Sequence, residues 1–175
     1  LALTSAFGGG GCDVLDFGAK GDGGSLTLAM PYGRADAKIV LSDGLHLITN
    51  KISITDALTV SSAHGRDFTL LKREYVSLPQ EVRSFRMFEI DNAGAVLEGV
   101  TITNSTCRIW NHGTVALLHA GTIRDSSFAG CQTAGMGMVS VDNDGKETGS
   151  ILRCVFAGNI MDDSQGPVCV SLARK

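Results

Sequence analysis

Acidic side chains are the first candidates for chemistry in this chain. Cleaving a glycosidic bond by hydrolysis takes two carboxyl groups across the sugar, about 5 to 9.5 Å apart depending on stereochemistry. Asp162-Asp163 is one acidic cluster beside apolar repeats, and the run Asp142-Asn143-Asp144-Gly145 with Glu147 is the other. Neighbouring residues of a strand point to opposite faces, so Asp162 and Asp163 form a useful pair only through a turn or a second strand. A solvated turn is their ordinary role. Cleavage of a uronate by elimination needs a base and usually a divalent cation on the carboxylate. Asp142, Asp144 and Glu147 resemble half of a calcium loop, with oxygen ligands at alternate positions and a glycine for the turn, but without a distal bidentate Glu. Calcium is therefore the one cofactor that the residues suggest.

Two further residues suit sugar binding. Trp110 has a ring face that complements the C–H bonds of a pyranose, and Arg108 stands two positions before it. Packing in a turn is the competing role for the Trp. His46, His64, His112 and His119 stand apart in sequence, none at a suggestive spacing from a Ser or Cys, so they read as surface or turn residues without nucleophilic chemistry. The five cysteines, Cys12, Cys107, Cys131, Cys154 and Cys169, form no C-x-x-C pair and read as small buried apolar groups, leaving the redox compartment open.

These side chains need a scaffold, and the composition limits its kind. The 175 residues suit one domain; 43% are hydrophobic and 19% charged, too apolar for disorder. The net charge of −3 offers no basic surplus for nucleic acid, and apolar runs are broken well before the roughly 18 residues that a membrane-spanning helix needs. There are 22 Gly against 3 Pro, and turn dipeptides such as Asp43-Gly44 and Asp144-Gly145 separate short apolar runs. The chain reads as all-β.

Its strands repeat. The triplets Leu97/Val100/Ile102, Ile123/Ser126/Phe128 and Ile151/Cys154/Phe156 superimpose, with offsets of 26 (97 to 123) and 28 (123 to 151). A drifting offset of this size suits a solenoid of stacked β coils whose loops vary while the strands stay in register. The runs 39–41, 45–48, 52–54 and 58–60 extend the same rhythm towards the N-terminus. The charged run from Lys72 to Arg86 reads as a projecting loop.

The segment Asp13 to Gly23, DVLDFGAKGDG, is similar to the opening motif of the pectate-lyase-like right-handed parallel β-helix superfamily, which includes polygalacturonases, pectate lyases and phage tailspikes. The stretch from Ile39, IVLSDGLHLITNKISITDALTVSSAHG, resembles the strands that follow it. FRMFEIDNAGAVLEGVTITN from Phe85 looks like later coils of non-catalytic β-helix proteins on bacterial surfaces. The resemblance spans most of residues 13 to 160. Asp162-Asp163 imitates the paired Asp of polygalacturonases, but the His-containing and Arg-x-Lys motifs that should follow are missing.

The resulting expectation is a right-handed parallel β-helix of about five coils over residues 13–175 with an N-terminal cap. Residues 1–12 read as a leader or linker remnant, and the domain reads as the N-terminal part of a longer solenoid. The function expected first is a non-catalytic secreted or cell-surface scaffold that binds a polysaccharide or a surface protein. The alternative is part of a polysaccharide lyase or glycoside hydrolase acting on polyuronates.

Overall fold

The computed structural model describes residues 14–17, 35–73, 86–107, 115–134, 137–143, 148–161 and 169–174. Every regular element among them is a strand, and every strand pairing is parallel. The chain is a right-handed parallel β-helix.

A first rung, β1 (Val14–Phe17), precedes five windings. The first winding carries β2 (Lys38–Leu41), β3 (Gly44–Ile48) and β4 (Ile52–Ile54). The second carries β5 (Thr59–Ser62), β6 (Thr69–Arg73) and β7 (Phe88–Ile90). From the third onward each has four strands: β8 (Val96–Glu98), β9 (Thr101–Thr103), β10 (Thr106–Cys107) and β11 (Ala116–Leu118). Next come β12 (Thr122–Arg124), β13 (Ser127–Ala129), β14 (Gln132–Thr133) and β15 (Val139–Asn143). The last are β16 (Ser150–Leu152), β17 (Val155–Ala157), β18 (Ile160–Met161) and β19 (Val170–Arg174).

Equivalent strands stack into sheets. The first sheet runs β1-β2-β5-β8-β12-β16 and the second β3-β6-β9-β13-β17. The third runs β4-β7-β11-β15-β19, with a narrow fourth of β10-β14-β18. The expected five coils are therefore present. Of the expected cap, Val14–Phe17 is an ordinary rung of the first sheet, paired residue for residue with Lys38–Leu41. Residues 18–34 lie outside the described residues.

Stacking of like residues supplies the core. Ile39, Val60, Leu97, Ile123 and Ile151 follow one another in the register of the first sheet, and all but Ile151 are fully buried. On the second sheet His46, Leu71, Ile102, Phe128 and Phe156 form the matching column, closed by Phe128 and Phe156 stacked at 5.0 Å. Each buried side chain contributes roughly 1.5 to 3 kcal/mol, so one winding alone is unstable and neighbours stabilise it.

Sharp corners keep the column closed. Between the first and second sheets the chain turns at Gly99, Asp125 and Arg153, with φ of 67°, 52° and 52°. After the second sheet it turns again at Asn104, Gly130 and Gly158, with φ of 47°, 62° and 61°. One left-handed residue per corner re-aims the strand. Asn and Asp are among the residues that tolerate this region best beside glycine. Arg153 is held there with its guanidinium on both oxygens of Asp125, at 2.6 and 2.7 Å.

Two sequence expectations need correction. Arg73, placed on a projecting loop, is the buried end of β6, and its Nη1 donates to the carbonyl of Thr106. Residues 74–85 lie outside the described residues. His46, read as a surface residue, is 3% exposed and occupies the interior, its Nε2 2.9 Å from the Ser42 carbonyl. Of the cysteines, Cys107 and Cys131 are buried as expected, Cys154 is half-buried and Cys169 exposed, and all four are free thiols. No helix among the described residues is long and apolar enough to cross a membrane.

Candidate functional site

Alternation decides what the third sheet shows to solvent. Ile52 and Ile54, Phe88 and Ile90, Ala116 and Leu118, and Val139 and Val141 point inward and are buried. Residues between or adjoining these inward pairs, Lys51 before, Glu89 between, and His119 and Asp142 after, therefore point outward. The register Ile54 to Ile90 to Leu118 to Val141 sets these residues on four successive windings.

The four groups touch in sequence. Lys51 Nζ donates to Glu89 Oε2 at 2.5 Å. His119 lies between two carboxylates, with Nε2 3.4 Å from Glu89 Oε1 and Nδ1 3.3 Å from Asp142 Oδ2. Solvent reaches all four, from 13% of the Asp142 side chain to 47% of Lys51. Beside the row, Leu117, Ser140 and Ser171 occupy outward positions yet are buried, the two serine hydroxyls 2.5 Å apart.

Partial burial works to raise the Glu89 carboxyl. The Lys51 hydrogen bond and charge, the His119 contact and the Arg86 charge outweigh it, and the group titrates below its ordinary value. Glu89 is thus the fixed anion of the row. An imidazole changes charge nearest neutrality of all side chains, and two carboxylates hold this ring in place.

The first sheet offers a contrast. Glu98 takes Arg124 at 2.6 Å and lies 3.9 Å from Lys38, so these three ionic groups are paired with one another and none of them suits proton transfer near neutral pH.

Of the sequence-derived candidates, Asp142 joins the row through His119. Asp144, Glu147, Asp162, Asp163, Trp110 and Arg108 lie outside the described residues. Among the described residues no three His, Cys, Asp or Glu side chains are arranged to hold a metal ion. Sequence reasoning missed Lys51, Glu89 and His119. The usable signal was the outward position beside each inward pair of the third sheet, but those strands are spaced more irregularly than the triplets of the first.

No family model matches the chain, and no curated protein matches it in sequence. Among solved structures, that of the PL6 family alginate lyase AlyGC superimposes with a TM-score of 0.51 at 13% identity. The match covers 90% of this chain and 30% of that one, so this chain spans under a third of that enzyme's length. At that identity the likeness speaks to the fold alone.

Proposed function

We propose that this chain is part of a carbohydrate-active β-helix that cleaves a uronate-containing polysaccharide by β-elimination on the outer face of its third sheet. The observation that carries the reading is the row Lys51–Glu89–His119–Asp142. The name of the structural neighbour, an alginate lyase, supports the same reaction class.

Elimination fits these groups. Lys51 spends one donor on Glu89 and has two more for a uronate carboxylate. Neutralising that carboxylate acidifies the proton at C5. In the neutral ring Nδ1 keeps its proton toward Asp142, and Nε2, whose 3.4 Å contact with Glu89 gives way to the substrate, takes the proton; the C5–H electron pair becomes the C4=C5 bond, and the C4–O bond breaks with its pair on the leaving oxygen. The imidazolium returns the proton to that oxygen. Glu89 and Asp142 orient the ring.

The test is incubation of the 175-residue chain with polyuronates of differing linkage, followed by ultraviolet detection of unsaturated uronate ends. Unsaturated product supports elimination. Saturated reducing ends would move the activity to hydrolysis and overturn this chemistry. Binding without product would overturn it in favour of a non-catalytic secreted or cell-surface scaffold.

A further inference from the structure

A second exposed group of side chains stands on a different flank, where residues 42–44 of one winding meet the loop 63–68 of the next. We infer that Phe68, His64 and Asp43 form a carbohydrate subsite that binds one pyranose ring. It is separate from the row on the third sheet and does not depend on cleavage there.

The loop is held rigid by polar contacts. The Ser62 hydroxyl donates to the Gly65 carbonyl at 3.0 Å, accepts from the Gly65 and His64 amides, and lies 2.8 Å from the Thr69 hydroxyl. The Thr101 hydroxyl donates to the Arg66 carbonyl at 2.8 Å, and Arg66 Nη1 reaches the Arg153 carbonyl at 3.4 Å. Backbone bonds join the two segments, Gly44 N to Phe68 O at 2.7 Å and Ala63 N to Leu41 O at 2.8 Å. These bonds fix the loop before a ligand arrives, which lowers the ordering cost of binding.

What the loop presents is amphipathic. Phe68 is 54% exposed, and its ring meets the His64 ring edge-on at 6.3 Å. His64 Nδ1 lies 2.9 and 3.1 Å from the two Asp43 oxygens, which fixes the imidazole beside the phenyl ring. With Nδ1 donating to Asp43, Nε2 is the acceptor of the neutral ring, and the carboxylate keeps lone pairs for further donors. A pyranose matches this: its C–H face covers an aromatic ring and its rim of hydroxyls donates to a carboxylate and an imidazole.

Saturation-transfer NMR on the whole chain tests the inference with two tetrasaccharides, one of uronic acid units and one of neutral hexoses. Ring protons of at least one should receive saturation. Phe68→Ala should weaken binding about tenfold, Phe68→Tyr should retain it, and Asp43→Asn should weaken it by a smaller factor. His119→Ala should leave this binding intact while removing any cleavage, so failure here and failure of the catalytic reading are distinguishable. Equal binding by wild type and Phe68→Ala, or no transfer to either sugar, would overturn the subsite.

Discussion

Glu89 and His119 belong to consecutive windings, and the imidazole Nε2 of the second comes to 3.4 Å from the Oε1 of the first. The contact is diagonal, because Glu89 is in register with Leu117 and His119 lies two residues further on. Such diagonals are within reach of long side chains on a parallel sheet. They let groups far apart in sequence meet on one face without any loop carrying them.

Glu89 makes the row sensitive to acid. Its carboxyl titrates lower in the folded chain than its ordinary 4.5, so its stabilising contribution is present above that value and lost as pH falls through the folded one. The stability difference between wild type and Glu89→Gln, read from denaturant melts, should therefore shrink as pH drops below the ordinary 4.5 and through the lower folded value. A difference constant from neutral to strongly acidic pH would contradict the pairing.

The core column gives a graded prediction. Ile123 is fully buried between Leu97 and Ile151, so Ile123→Ala should cost about 2 to 5 kcal/mol in chemical denaturation. Ile151→Ala, at a half-buried position, should cost clearly less.

Glycines at corners differ for a physical reason. Gly121 has φ of 78°, and an added Cβ would sit 2.7 Å from the Asn92 carbonyl and 2.8 Å from that of Ala95. Gly158 is also left-handed, at 61°, but its nearest neighbour would be a backbone nitrogen at 4.0 Å. Gly158→Ala should lose about 1 to 2 kcal/mol from strain alone, and Gly121→Ala considerably more. Thermal melts of the two variants compare them directly.

Burial, the largest influence on Cys131, pushes its thiol up to about 11. The neutral thiol is favoured in the folded chain, so this contribution is fully present below the ordinary 9.0 and is lost as pH rises through about 11. Mass spectrometry after brief alkylation at mildly alkaline pH should find exposed Cys169 modified and Cys131 untouched until denaturant is added.

The first and second sheets were legible in the sequence because Leu97, Ile123 and Ile151 repeat with nearly constant offsets, and in the structure these residues do lie one above another. The third sheet was not. Strands β7, β11 and β15 are reached through connections of unequal length, so no fixed period brings Glu89, His119 and Asp142 into line. His46 misled for a related reason: its place inside the second-sheet column follows from pairing with Leu71 and not from its own polarity.

The most direct test is the rate of unsaturated-end formation by wild type, His119→Ala and Ser53→Ala on the polyuronate that the wild type cleaves best. Ser53 lies on β4, facing outward beside the row. Loss of 10² to 10⁴ in kcat for His119→Ala, with Ser53→Ala near wild type, is the predicted result. Full activity without the imidazole would contradict the assignment of proton transfer to this row.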